Sequence, residues 1–297
     1  MAMQYQILFL LIVQTFAQEY VPGTPGAKWS LEETLIVKSK LYAIFNDGGY
    51  KAANQLGIQV NWMDRPTAGK VLRLGFHDCL KYQDGSGGCD GCLNWDGVGH
   101  RFDDGTNKFK FPNVGATNNN GLGKTVQVLE ALYTYPGFPW GNMAPSLNIS
   151  LKASGKSRAD LWAFAAIAAV EHGIETNNLV CTNEFNGNPG KQCNAWTGTD
   201  ECQVKPTKNL VFFSGRKDCT EFGDEMYKAL KHESHPNSVG NGEMTANFYA
   251  NDFGFSGRET VAIMGAHTLG RLHYPISLFR YIWTTRGTST FNNHYYK

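Results

Sequence analysis

Residues 71–79 read VLRLGFHDC and carry an arginine and a histidine four positions apart in a mostly apolar run. Residues 65–79 are predicted to form a helix that begins near Pro66, because proline is tolerated in a first helical turn. Positions i and i+4 lie on the same face of a helix, so Arg73 and His77 are expected to point in the same direction. An isolated pair of this kind is more often part of a solvated surface, and a second motif is needed to decide.

The residue types in this stretch suit a reaction in which a proton moves while negative charge develops. A histidine can take up and return a proton near neutral pH. An arginine stabilises developing charge without losing its own proton. Phe76 lies next to the face that Arg73 and His77 share, and the two leucines of the stretch can serve the core.

A second histidine lies in residues 261–270, which read VAIMGAHTLG. His267 follows an apolar run and lies between Gly265 and Gly270, so its neighbours leave room for a large flat group. Neutral imidazole is a common ligand of haem iron. Taken alone, a hydrogen-bonded core histidine would be the simpler interpretation of His267.

Together, RLGFHDC and GAHTLG resemble the distal and proximal motifs of the plant-type haem peroxidase superfamily. Further segments match in the family's order along the chain: NNGL at 119–122, SRADLWAFAA at 157–166, SGRKD at 214–218 and FNNHYYK at 291–297. The resemblance runs from about Trp29 to the last residue. It implies a mainly α fold in which haem b lies between a distal and a proximal helical half.

The resemblance assigns the catalytic residues of the distal side to Arg73, Phe76, His77 and Asn119. His77 is the acid–base catalyst, which takes a proton from the near oxygen of hydrogen peroxide and delivers it to the far one. Arg73 stabilises the charge that develops as the O–O bond breaks. Asn119 accepts the Nδ1 proton of His77 and leaves Nε2 free as the base, and Phe76 packs against the haem.

On the proximal side, the resemblance makes His267 the ligand of the haem iron and His273 a contact of a haem propionate. Trp283 matches the proximal tryptophan of the cytochrome c peroxidase and ascorbate peroxidase branch, with simple core packing as the alternative. In this family a buried aspartate accepts the Nδ1 proton of the iron ligand. That aspartate and the last helices are expected beyond Lys297, so the chain is expected to be C-terminally truncated.

A distal calcium site is also implied, with oxygen ligands from Asp78, the Gly88 carbonyl and Asp90. Cys92 stands where the family has a serine or threonine oxygen. Thr268 could serve a second, proximal cation. The phenylalanine before His77 resembles the secreted branches of the superfamily.

The expected function is haem-dependent reduction of hydrogen peroxide to water, with oxidation of a phenolic or other small-molecule electron donor. The donor is not named, because Ile276 stands where the ascorbate branch has an arginine. The alternative is a secreted haem-binding or structural protein of the same fold without turnover. A non-haem metal module that uses cysteine and histidine would explain the cysteines but not the order of the other motifs.

The remaining helices are predicted from apolar periodicity, and no strand-like alternation is present. Ser30 and Ser256 are each followed three positions later by a glutamate, which is the pattern of a capping box. The expected helical segments are residues 29–46, 122–133, 157–173, 242–256 and 257–273. Residues 177–208 are polar and are expected to form a surface insertion, so the fold is one mainly α domain over residues 28–297.

Composition and cysteine content indicate a secreted protein. The formal net charge of the 297 residues is +1, with no basic run, which argues against a nucleic-acid partner. Residues 1–17 are predicted to be a signal peptide, with a buried N-terminal helix or strand as the alternative, and no other stretch approaches transmembrane length. Seven cysteines suit an oxidising compartment.

The odd number of cysteines leaves at least one unpaired within the chain. Cys79 and Cys89 resemble a disulfide pair of the secreted plant peroxidases, with a redox or zinc CxxC at Cys89 and Cys92 as the alternative. Four others are expected to pin the surface insertion in one of three pairings: Cys181, Cys193, Cys202 and Cys219. Asp160 and Arg216 match residues that form an ion pair in relatives.

Overall fold

The computed structural model of the chain describes residues 19–95, 118–139, 146–183, 209–237, 240–273, 283–284 and 288–296. Within these ranges the regular secondary structure is helical and contains no strand. The helices are α1 Leu31–Asn46, α2 Tyr50–Gln55, α3 Ala68–Asp78, α4 Gly123–Thr134, α5 Arg158–Asn183, α6 Gly242–Phe253 and α7 Gly257–Met264, with short 3₁₀ helices at Gly265–Thr268 and His294–Tyr296. The predicted mainly α class is confirmed.

Both predicted capping boxes are present. The Ser30 hydroxyl accepts from the backbone N–H of Glu33 at 3.1 Å, and the Glu33 carboxylate accepts from the N–H of Ser30 at 2.7 Å. Ser256 and Glu259 repeat this exchange at the start of α7. Each box satisfies two N–H groups that the first turn of a helix leaves without partners.

Helix α5 is the centre of the fold, as its nearly all-round apolar surface predicts. Leu161, Trp162 and Ala165 are completely buried within it. Helix α3 crosses α5 in close contact at Gly75, where an added β-carbon would lie 2.5 Å from Cβ of Ala166. A glycine therefore allows the helix that carries Arg73 and His77 to pack directly on the central helix.

Three segments differ from the sequence predictions. Helix α3 begins at Ala68 because the Thr67 hydroxyl caps it by accepting from Lys70 N at 3.3 Å. Helix α5 continues to Asn183, so the first residues of the expected 177–208 insertion are helical. Helix α7 ends at Met264 and gives way to the 3₁₀ turn that contains His267, and the chain then leaves helical geometry at Leu269 and Gly270, which has φ +91°.

Two disulfides join the described residues. Cys79–Cys89 is present as the resemblance implied. Cys219 was expected to pair within the surface insertion, and that prediction is wrong, because Cys219 is bonded to Cys92. The Cys92–Cys219 bridge ties the loop after α3 to the segment that packs on the start of α5. Cys193, Cys202 and the side chain of Cys181 lie outside the described part of the chain.

The predicted ion pair of Asp160 and Arg216 is present, with Nη1 of Arg216 3.1 Å from Oδ1 of Asp160. The Asp160 carboxylate is completely buried and also accepts from the backbone N–H groups of Gly215 and Arg216. Buried carboxylates need such partners to offset desolvation. No helix in the described ranges combines the length and apolarity that crossing a membrane requires, and the predicted signal peptide lies outside them.

The close crossing at Gly75 predicts a destabilised Gly75→Ala variant. Overpacking against Ala166 costs about 3 kcal/mol, and the better helix propensity of alanine returns only about 1 kcal/mol. We therefore expect urea denaturation to show a loss of about 2 kcal/mol in the free energy of unfolding. Gly123→Ala is the matched control, because a β-carbon added at Gly123 would meet no heavy atom within 4 Å. A Gly75→Ala variant as stable as the control would contradict the close contact.

The disulfides predict a difference between two pairs of serine variants. The Cys92–Cys219 bridge closes a sequence separation of 127 and the Cys79–Cys89 bridge one of 10. By loop-closure entropy, removing the long bridge costs about 5 kcal/mol and removing the short one about 3 kcal/mol. Denaturation of the two double variants measures this order, and peptide mapping without reductant tests the pairing itself. A Cys219 peptide linked to Cys181, Cys193 or Cys202 would contradict it.

Candidate active site

The side chains singled out in the two histidine motifs line one cavity of ≈ 1490 Å³. Arg73, Phe76 and His77 reach it from helix α3. His267 and Trp283 reach it from the region that follows α7. The predicted common direction of Arg73 and His77 is therefore observed, and residues far apart in the sequence meet in a single space.

One turn, residues 118–121, binds three side chains of α3. Arg73 donates to the backbone carbonyls of Asn120, at 2.8 Å, and Asn118. Nζ of Lys70, one helical turn earlier, donates to the Gly121 carbonyl at 3.0 Å. Oδ1 of Asn119 lies 2.8 Å from Nδ1 of His77. This turn therefore sets the orientation of every polar side chain on the cavity face of α3.

The hydrogen bonds of Asn119 decide the tautomer of His77. Nδ2 of Asn119 donates to the Asn94 carbonyl at 2.6 Å and to Oε1 of Glu233 at 3.1 Å, which turns Oδ1 toward the imidazole. His77 must then donate through Nδ1–H and keep a lone pair on Nε2. Burial, followed by the neighbouring Arg73 and His235, lowers the pKa of His77 well below its ordinary value. The ring is a neutral base at neutral pH.

Arg73 keeps its charge in this setting. Burial lowers the pKa of the Arg73 guanidinium to about 10, which still leaves it protonated at neutral pH. Its two carbonyl partners satisfy part of the guanidinium and leave other N–H groups for a ligand. A neutral base and a permanent cation thus share one face of the cavity.

His267 has the features of a metal-ligating imidazole. Its Nδ1 lies 3.0 Å from the Met264 carbonyl, so Nδ1–H donates there and Nε2 is available. Burial lowers the pKa of His267, which favours the neutral form that binds metals. The ring centroids of Trp283 and Tyr295 lie 4.3 Å and 5.3 Å from that of His267. Tyr295 is a neighbour that the sequence analysis did not single out.

The cavity residues fit a large planar group that carries carboxylates. Lys70, Arg65, Arg271 and His273 all line the same cavity and are basic side chains. Burial and Arg73 lower the pKa of Lys70 to about 7, and burial together with Lys70, Arg271 and Arg65 lowers that of His273 to about 4. An anionic ligand beside these groups would favour their charged forms. Together with His267, this donor set suits haem.

The residues expected to bind calcium form a crowded acidic pair. Oδ1 of Asp78 accepts from Gly91 N at 2.7 Å, and Oδ2 is buried without a partner. Oδ1 of Asp90 accepts from the Tyr82 hydroxyl at 3.2 Å. Burial and Asp90 raise the pKa of Asp78 well above its ordinary value, and burial raises that of Asp90 to about 6.

Cys92 and Thr268, which stand at the two expected cation sites, both have partners of their own among the described residues. The sulfur of Cys92 is bonded to Cys219. The Thr268 hydroxyl is buried and donates to the Asn292 carbonyl at 2.9 Å. Among the residues that the structure describes, no three histidine, cysteine or acidic side chains group as a metal site. Ile276, the position that bears on the donor, lies outside those residues.

Comparison with known proteins gives one family match. The model of the family described as Peroxidase matches residues 53–297, which is most of the chain and includes both histidine motifs. No curated protein matches the chain.

The hydrogen bonds of Asn119 predict the behaviour of two neighbouring variants. Asn119→Val removes the acceptor of His77 Nδ1–H, and we expect ¹⁵N spectra of the histidine rings to show both neutral tautomers of His77 instead of one. Asn118→Ala is the control, because Asn118 acts on Arg73 through its backbone carbonyl. A single unchanged tautomer in Asn119→Val would contradict the assignment.

Proposed function

The chain belongs to the peroxidase family, and from that premise we propose that it is a haem-dependent enzyme that reduces hydrogen peroxide to water and oxidises a small-molecule electron donor. The observation that carries the proposal is the shared cavity. It joins the free Nε2 of His77, with Arg73 beside it, to the neutral His267. Peroxide cleavage at haem needs both groups: a base with a cation beside it, and an imidazole that binds the iron.

His267 would hold the haem iron through Nε2, and Lys70, Arg271 and His273 would bind the haem carboxylates. When bound, haem supplies an iron centre that binds peroxide and exchanges electrons with it. His77 Nε2 takes the proton from one peroxide oxygen and returns it to the other as the O–O bond breaks. Two electrons from the donor and two protons complete the reduction of one peroxide to two waters.

Arg73 stabilises the charge that gathers on the departing oxygen, since its guanidinium stays protonated and is already oriented by two carbonyls. Phe76 shapes the cavity wall and excludes water from the reacting atoms. Trp283, in ring contact with His267, would relay electrons between the proximal side and the donor.

Haem binding without turnover is the second candidate function. It is favoured by the Met264 carbonyl at Nδ1 of His267, because a neutral carbonyl raises the basicity of a ligating imidazole less than a carboxylate does. Calcium at Asp78, Gly88 and Asp90, or at Thr268, stays a prediction. A cation between the Asp78 and Asp90 carboxylates would favour their charged forms, which burial disfavours.

We infer that the protein acts in an oxidising compartment. Its two described disulfides are typical of secreted proteins, and the predicted signal peptide over residues 1–17 would direct it there.

Variants of the two histidines test the proposed function. We expect the chain to take up haemin with a Soret band and to drive peroxide-dependent oxidation of guaiacol or ascorbate. His77→Leu should keep the Soret band and lower the rate of reaction with peroxide by about 10²–10⁴-fold, because the proton acceptor is lost. His267→Ala should weaken haemin uptake itself.

His232→Gln is the control, since His232 does not line the cavity. A wild-type chain that takes up haemin without a Soret band, or does not take it up, would refute both candidate functions. A Soret band without peroxide turnover would leave the second, and an unchanged rate in His77→Leu would refute its role as the base.

A further inference from the structure

A second histidine lies beside His77 in the cavity. The ring centroids of His235 and His77 are 4.8 Å apart with an interplanar angle of 68°, which is an edge-to-face contact. Phe76 makes a similar edge contact with His77 at 5.9 Å. His235 lines the same cavity, and its side chain is 11% exposed. Nothing in the distal motif points to His235, which belongs to a loop before α6.

A buried carboxylate connects His235 to the rest of the distal side. Oε2 of Glu233 lies 3.8 Å from Nε2 of His235, which is a contact longer than a hydrogen bond, and the Glu233 side chain is 5% exposed. Oε1 of the same carboxylate accepts from Nδ2 of Asn119 at 3.1 Å and from Asn94 N at 2.7 Å. Glu233 therefore touches both partners of His77: the amide that binds Nδ1 and the ring that packs on the imidazole.

Main-chain bonds hold residues 232–234, which directly precede His235, against the segment that follows α3. Gln83 N donates to the His232 carbonyl at 2.9 Å, and Ser234 N donates to the Lys81 carbonyl at 2.7 Å. These bonds pair residues 232–234 with residues 81–83, directly after the helix that carries His77. The geometry is thus set by main-chain bonds rather than by a mobile side chain.

We propose that His235 is a positioning residue for His77, placed beside Glu233 by the main-chain pairing of the residues that precede it. The bond from Nδ1 to Asn119 restrains the His77 ring at one nitrogen and leaves a limited freedom of tilt about that bond. The His235 edge contact removes this freedom and aims Nε2 at one place in the cavity. The proposal rests on the proposed function, because the direction of His77 Nε2 affects the rate only if Nε2 moves a proton.

Removal of the His235 ring should slow the step in which His77 moves a proton. In haem-loaded protein, His235→Ala should slow the reaction with peroxide by about 10–100-fold, in the range for residues that orient a reacting group. His235→Phe keeps a ring at the contact and should recover most of the rate. Haem uptake and the rate of donor oxidation after peroxide cleavage should not change. A variant that is only destabilised would lose these two properties as well.

The His77→Leu background separates a positioning role from an independent one. If His235 acts through His77, then His235→Ala should cause no further loss when His77 is already leucine. An equal fold-loss in both backgrounds would overturn the proposal, as would a wild-type rate in His235→Ala. Glu233→Gln keeps an acceptor for Asn119 and should retain more activity than Glu233→Leu.

A spectroscopic measurement keeps the proposal independent of turnover. The ring nitrogens of His77 can be followed by ¹⁵N relaxation in protein loaded with zinc protoporphyrin, which is diamagnetic. His235→Ala should lower the order parameter of the His77 ring, and His235→Phe should restore it. If wild-type protein does not react with peroxide, the proposed function fails while this measurement still decides the role of His235. An unchanged order parameter in His235→Ala would overturn the proposal.

Discussion

The structure depends on hydrogen bonds between the turn at residues 118–121 and one face of helix α3. Arg73, Lys70 and His77 all line one cavity, and the turn supplies an acceptor to each. Polar side chains that are buried without partners would cost several kcal/mol, about 1–3 kcal/mol for each group. The hydrogen bonds that offset this cost of burial also set the direction in which the three side chains act.

Close packing of helix α3 on helix α5 holds these side chains where the turn can bind them. Gly75 lets α3 approach the central helix α5, so the cavity face of α3 is held by a rigid wall on its other side. Buried carboxylates then join the loops to this pair of helices. Asp160 binds residues 215–216, Asp218 accepts from Arg158 N and Ala159 N at the start of α5, and Glu233 binds Asn119. Each carboxylate is satisfied largely by N–H groups that have no helical partner of their own.

Local patterns predicted the local parts of this structure. The capping boxes at Ser30 and Ser256 and the shared face of Arg73 and His77 follow from spacing within one helix. The helix end at Met264 was missed because apolar spacing continues past it, while the residues after the turn bond to a distant segment, as Gly270 N does to the Thr288 carbonyl. Cys219 was assigned to the wrong partner, since cysteine spacing does not encode which loops meet.

By itself, the sequence determined the helical class, the family and the two histidines that face one cavity, because these features rest on motifs and periodicity along the chain. Only the tertiary structure decided that Glu233 and His235 lie against Asn119 and His77. They come from a loop with no periodic pattern, and main-chain pairing with residues 81–83 brings them there. Contacts of this kind are made by the packing of distant segments, and no short stretch of sequence specifies them.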